Sequence, residues 1–368
     1  MAENRSAARA SIISGERSLP CFNSTLISVS QACIPERYTM STCSDAPAFD
    51  TRFLLVASDL DGTLLNAAHE VSSETRKTFQ RLTKARPNVK VALCSGRSTA
   101  SMAHIVQSLQ LDVPTAIVCF NGSAGGFFDF PCGEAAQDPP LITTRLDPVF
   151  FCQTLSRAII LKALSIVRES SAFTGAVQLY TPSGTIYTNA RTAEMKKHTA
   201  RYEHLTTTKQ IFLEVENDEE FLDRLESIET DGMCKMLAFC EEADLEASYL
   251  DMERSFKALE SEEGIEVPTF VRGSPPFFCE ILPPGSNKGE GLRRLCESLG
   301  IPLEKVLAFG DGDNDQEFLA LAGHGVAMKN AGQRAQASAR SVCFFTNEEE
   351  GVAKTIEYLF ARGNFDDY

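Results

Sequence analysis

Two carboxylates close an apolar run in Leu54-Leu55-Val56-Ala57-Ser58-Asp59-Leu60-Asp61-Gly62-Thr63. Side chains alternate along a strand, so Asp59 and Asp61 leave its end on the same side. Two like charges that close are costly unless a cation lies between them or one holds a proton. Both conditions suit an enzyme with one aspartate as nucleophile and the other as acid/base. Gly62 lets the backbone bend directly behind the pair.

Three further clusters stand at expected strand ends or helix starts. Ser95 ends the apolar run Val89–Cys94, and Gly96-Arg97 opens a helix. A hydroxyl and neighbouring backbone N–H groups are what an incoming phosphoryl oxygen needs. Lys288 follows Pro283-Pro284-Gly285-Ser286-Asn287 at another helix start. A cation there faces the unfavourable end of the helix dipole, which implies an anionic partner. The segment Leu307-Ala308-Phe309-Gly310-Asp311-Gly312-Asp313-Asn314-Asp315 sets three carboxylates behind an apolar strand. That density calls for a cation, and oxygen-only ligands select a hard one, Mg²⁺ before zinc or copper.

The elements that must position these clusters are legible as a rhythm. Strands at 53–58, 89–94 and 116–120 alternate with helices at about 72–86 and 98–110. Such alternation indicates a parallel sheet with helices on both faces, and ligands in such sheets sit beyond the carboxyl ends of the strands. From 126 to 280 the texture changes: a helix is expected around 147–170, then hairpin-like strands at 176–180 and 185–187. Strands at 211–215, 233–240 and 269–272 follow, with acidic helices at 217–228 and 242–261 between them. This reads as an inserted α+β unit with an antiparallel sheet. Helices at 288–299 and 314–321 and strands at 305–309 and 324–328 resume the first pattern, and Glu348-Glu349-Glu350 reads as a solvated loop or helix start. The fold expected is α/β, a Rossmann-like parallel-sheet core with an inserted α+β cap. The core is assigned to 52–125 and 281–368, the cap to 126–280, and a disordered extension to 1–51.

Composition bounds what such a chain does. Its 368 residues suffice for two cores, and 43% hydrophobic with 23% charged residues is ordinary for a soluble protein. A net charge of −15 opposes nucleic acid or an anionic membrane surface as partner. No apolar stretch reaches a membrane span. The twelve cysteines form no C-x-x-C pair, and the five histidines show no ligand spacing. The cysteines read as reduced, buried thiols and the histidines as structural. The expected location is therefore cytoplasmic. Residues 1–50 hold Arg and Ser but also Glu3, Glu16, Glu36, Asp45 and Asp50, unlike an acid-poor transit peptide; organelle import through them is the alternative.

Taken in order, the four clusters resemble the motifs of the haloacid dehalogenase-like (HAD) phosphohydrolases, most closely the Cof-type branch with a large α/β cap. Gly325-Val326-Ala327-Met328-Lys329-Asn330-Ala331 and Glu349-Glu350-Gly351-Val352-Ala353 also resemble that family's sequence, and the likeness spans about 53–360. The resemblance implies a Mg²⁺-dependent phosphatase of small phosphorylated metabolites, sugar phosphates foremost. It makes Asp59 the nucleophile and Asp61 the acid/base. Ser95, Gly96, Lys288 and Asn314 would bind the phosphoryl group. Asp59, the Asp61 carbonyl, Asp311 and Asp315 would hold the metal. Asp313 has no assigned role, and the hinges are expected near Asn121–Gly126 and Ile281–Gly285. A phosphomutase like the eukaryotic phosphomannomutases is the alternative, although their fourth motif is longer than Gly310–Asp315. A non-catalytic phospho-ligand sensor would require decay of catalytic residues that are all present here. Oligomeric state is left open.

Overall fold

In a computed structural model the described residues are 52–128, 146–206, 208–263, 266–273 and 275–366. The extension assigned to 1–51 lies outside them. The chain begins with β1 (Leu55–Ser58), α1 (Ser73–Ala85), β2 (Lys90–Cys94), α2 (Thr99–Leu109) and β3 (Thr115–Cys119). Nearly every residue of these three strands is buried, as expected where helices cover both faces of a parallel sheet. Ser72 caps α1 by accepting from the Thr75 N–H at 3.0 Å.

After β3 come β4 (Ala124–Phe128) and β5 (Leu146–Cys152), both antiparallel additions to the same sheet. The segment expected to open a helix near 147 is thus a strand. Pro148 is tolerated because β5 is the sheet's edge, and the run Val149-Phe150-Phe151 favours extended backbone. The helix begins later, at α3 (Arg157–Glu169), where Ser156 accepts from the Ile159 N–H. The boundary expected at 126 consequently falls inside β4, and the first crossing between sheets lies at 153–156.

The second sheet is built from β6 (Phe173–Tyr180), β7 (Ile186–Thr188), α4 (Ala193–Thr206), β8 (Gln210–Phe212), α5 (Asp218–Ile228), β9 (Lys235–Cys240), α6 (Leu245–Glu263), β10 (Thr269–Arg272) and β11 (Phe278–Leu282). Its strand order is β10-β11-β9-β6-β7-β8. All pairs are antiparallel except β7–β8, a parallel exception to the expected pattern. Alternation gives this sheet two faces. Met236, Ala238, Cys279 and Ile281 pack with α3, α5 and α6 in one apolar cluster, while Leu237, Phe239 and Phe278 join the cluster of the first sheet. Lys235 and Glu280 share the latter face.

The chain returns through α7 (Lys288–Leu299), β12 (Val306–Gly310), α8 (Gln316–Leu321), β13 (His324–Ala327), α9 (Gln333–Ser338), β14 (Ser341–Val342) and α10 (Gly351–Ala361). Glu350 stands at the start of α10, as its acidic run suggested. The first sheet then reads β14-β13-β12-β1-β2-β3-β4-β5, parallel from β14 to β3. Ser58 is level with both Phe309 and Leu93, and Cys94 with Val118. The carboxyl ends of β12, β1, β2 and β3 therefore form one row. Chain order reverses about β1, the position where such sheets open a ligand crevice.

Candidate active site

Residues hundreds of positions apart meet at that row. Asp59 follows β1 directly and is buried, its N–H donating to the Phe309 carbonyl at 2.9 Å. Gly62 has φ +77°, and a Cβ there would lie 2.3 Å from an Asp311 carboxylate oxygen. Only glycine admits both the turn and the approach. The Thr63 hydroxyl then donates to Asp311 Oδ1 at 2.7 Å. At the start of α7, Asn287 accepts from the Glu290 N–H at 2.8 Å and so fixes where Lys288 begins the helix. Lys288 is 1% exposed, and its ammonium donates to Asp59 Oδ1 at 2.6 Å and to Asp315 Oδ1 at 2.7 Å. The other Asp315 oxygen accepts from the N–H groups of Asp311 (3.0 Å) and Gly312 (2.9 Å).

These contacts decide the electrostatics. Burial, and next the charge of Asp315, push the Asp59 carboxyl well above the usual carboxylate range, although Lys288 opposes them. Burial and Asp315 raise Asp311 to about 6 against the Thr63 hydrogen bond. Burial disfavours the charge on Lys288, but the two carboxylates outweigh it and hold the ammonium firmly charged. One lysine thus partly neutralises three clustered acids. Ligand oxygens of Asp59, Asp311 and Asp315 lie within 4.8 Å of one another. The donor set is oxygen-only and carries surplus negative charge, which fits a hard divalent cation. Because Asp315 already spends both oxygens on Lys288 and the 311–312 turn, its geometry suits a support of the site as well as a ligand.

Asp61 lives in a different environment. Its side chain is 43% exposed, and Arg97 grips it with Nε to Oδ2 at 2.7 Å and Nη2 to Oδ1 at 2.5 Å. His69 Nδ1 lies 2.9 Å from the same Oδ1. Burial works to raise the Asp61 pKa, but the Arg97 hydrogen bonds and charge, with His69, pull it below the usual carboxylate range. The two aspartates of one strand end are thereby driven in opposite directions, Asp59 toward its protonated form and Asp61 toward its charged form.

Ser95 is buried at the end of β2, with its N–H on the Val118 carbonyl and its Oγ accepting from the Arg97 N–H at 3.2 Å. Asn314 donates through Nδ2 to Asn121 Oδ1 at 3.0 Å. Asp59, Asp61, Ser95 and Gly96 face a cleft of about 1650 Å³, together with Lys288, Asp311 and Asn314. Asp315 supports the wall from behind. The second sheet closes this cleft with Tyr180, Lys235 and Glu280, and α4 adds Tyr202.

Sequence reasoning missed several of these residues. Arg97 was read only as opening a helix, His69 as structural and Asn121 as part of a hinge. Lys235 and Glu280 did carry a signal: each interrupts an apolar run (Met233-Cys234-Lys235-Met236-Leu237 and Phe277-Phe278-Cys279-Glu280-Ile281). A charge that folds into a strand interior requires a partner. They are each other's partner, at 2.8 Å. Burial works against the ammonium of Lys235, but Glu280 offsets it and keeps the charge.

Comparison with known proteins places this geometry in context. The sequence model of the haloacid dehalogenase-like hydrolases matches residues 56–136 and 141–356. A curated relative, the 5-amino-6-(5-phospho-D-ribitylamino)uracil phosphatase YitU of Bacillus subtilis, is 28% identical over 315 residues, covering 85% of this chain and 99% of that protein. The phosphatase YwpJ of the same organism is 27% identical over 83% of this chain and 99% of its own length. Among solved structures, a haloacid dehalogenase-like hydrolase from Bacteroides thetaiotaomicron superposes with a TM-score of 0.63 at 24% identity, covering 84% of this chain and all of that one.

Proposed function

Because the chain belongs to the haloacid dehalogenase-like hydrolases, we propose that it is a Mg²⁺-dependent phosphatase that hydrolyses small phosphorylated metabolites through an aspartyl-phosphate on Asp59. The observation that carries this reading is the meeting of Asp59, Lys288 and Asp311 on one cleft wall. Asp59 attacks phosphorus as the ester oxygen leaves. Asp61 donates a proton to that oxygen, then takes one from the water that cleaves the acyl phosphate. The Lys288 ammonium, the Ser95 hydroxyl, the Gly96 backbone and the Asn314 amide carry the charge that spreads over the phosphoryl oxygens. A bound Mg²⁺, held by Asp59, Asp311 and the Asp61 carbonyl with Asp315 as ligand or support, would neutralise part of that charge and orient the attacking carboxylate.

The second sheet acts as a cap over the cleft, excluding water and selecting the leaving group. The lengths of chain at 153–156 and 283–287 would be its hinges. A sugar or sugar-alcohol phosphate fits the reading best. The cleft admits a group of that size, and the relative YitU is named for a phosphoribityl substrate.

A phosphate-release screen over sugar phosphates, nucleotides, flavin mononucleotide and pyridoxal phosphate tests this. Release should require Mg²⁺, disappear with EDTA and return with the metal. Asp59→Asn should lower kcat by on the order of 10⁴-fold or more. Turnover that survives Asp59→Asn sinks the nucleophile assignment, and isomerisation of a hexose phosphate without phosphate release would indicate a mutase instead.

A further inference from the structure

A buried polar chain runs from the second sheet into the phosphoryl cradle. Lys235 Nζ donates to Glu280 Oε1 at 2.8 Å and to the Gly96 carbonyl at 3.2 Å. Glu280 Oε2 accepts from Asn121 Nδ2 at 2.8 Å, and Asn121 Oδ1 accepts from Asn314 Nδ2 at 3.0 Å. Lys235 and Asn121 are 2% and 3% exposed. The backbone is bent to make this chain. Phe120 and Asn121 have φ of +51° and +50°, a conformation that asparagine tolerates but a bulky residue such as phenylalanine adopts only under strain. Two glycines make room. A Cβ on Gly96 would stand 2.9 Å from the Asn121 amide, and one on Gly122 would stand 2.0 Å from the Asn287 carbonyl oxygen.

The chain has a polarity that only one end can set. An amide offers a donor on one side and an acceptor on the other, whereas a carboxylate only accepts. Glu280, held by the Lys235 ammonium, obliges Asn121 to turn Nδ2 toward it. Asn121 must then show Oδ1 to Asn314, which answers with Nδ2. With one N–H engaged in this way, the Asn314 amide is fixed in orientation at the cleft wall. Were Glu280 to lose its charge, the Asn121 amide could turn over. Asn314 would follow, presenting a carbonyl where a donor is needed.

Resting on the phosphatase reading above, we propose that Asn121 and Glu280 are positioning residues for phosphoryl transfer, acting through Asn314, so that the cradle is fully set only when the second sheet is seated on the first. Neither touches the reacting atoms in this reading.

The test is a double-mutant cycle on the Mg²⁺-loaded protein with p-nitrophenyl phosphate. Asn121→Gly keeps the left-handed backbone accessible and removes the amide. It should lower kcat/KM roughly 10- to 100-fold in the wild-type background, the loss of a well-oriented hydrogen bond to charge. In an Asn314→Ala background it should lower kcat/KM by less than about twofold, because the residue through which it acts is gone. Glu280→Gln should show the same pair of values. Should that variant fail to fold, Lys235→Met/Glu280→Gln, which removes both buried charges together, replaces it. Equal losses in both backgrounds mean a general structural role and overturn the proposal while leaving the phosphatase reading intact. A wild-type protein inert on every ester in the screen overturns both.

Discussion

In the mechanism proposed here Asp61 has to alternate between two ionisation states during turnover. The carboxyl must carry a proton to release the ester oxygen and lose it again to activate water. Arg97 and His69 favour the charged form, so the contacts they make must loosen when an ester enters. Asp61→Asn should therefore leave attack on an activated aryl phosphate largely intact, since p-nitrophenolate departs without a proton. Hydrolysis of the acyl phosphate should slow by about 10²- to 10⁴-fold. A pre-steady-state burst of nitrophenolate close to one equivalent checks this, and its absence would remove Asp61 from the base role. Lys288 makes a different prediction. Replacing it with methionine strands the buried Asp59 and Asp315 without their shared cation, which should destabilise the protein by about 3–5 kcal/mol. Denaturant unfolding measures that loss directly.

The turn after β1 shows how an element, not a single side chain, builds the site. Gly62 combines a left-handed backbone with the near approach of Asp311. Gly62→Ala should lower stability by about 1–3 kcal/mol and weaken Mg²⁺ binding, because Asp311 must move to admit a methyl group. Titration of Mg²⁺ against the variant reads the second effect independently of turnover. Element recognition from sequence followed the strength of the pattern. The strands β1, β2, β3 and β12 were legible because continuous apolar runs stop at polar clusters. β4 and β5 were not, since Gly125-Gly126 and Pro148 carry turn chemistry that edge pairing overrides. β11 was missed because Glu280 interrupts its apolar face, and that glutamate is paired only once β9 lies beside it.

At the scale of the whole molecule, stability and ligand binding are linked. Mg²⁺ at 100 times its dissociation constant should stabilise the folded chain by about 2.7 kcal/mol. An upward shift of the thermal midpoint that is absent in Asp311→Asn checks this without any substrate. Acid should act elsewhere too. Burial, with the charge of Arg340, lowers His324 to about 4, below the unfolded value of about 6.5. Unfolding therefore takes up a proton between these values, and stability falls as pH drops from about 6.5 toward 4. His324→Asn should flatten that part of the profile, as chemical unfolding at a series of pH values would show.

The amino-acid order alone determined the strand–helix rhythm of the first sheet, the aspartates and serine at its strand ends, the lysine at a helix start, and the family they resemble. These follow from local rules, in which an apolar period ends at a turn and a charge marks the stop. Only tertiary structure decided which residues speak to one another across the cleft. Arg97 came to Asp61, Asp315 turned inward to hold Lys288, and a glutamate from the second sheet came within reach of an asparagine on the first. Such pairings depend on register and on how two sheets close over one space, quantities that no segment of the chain contains by itself.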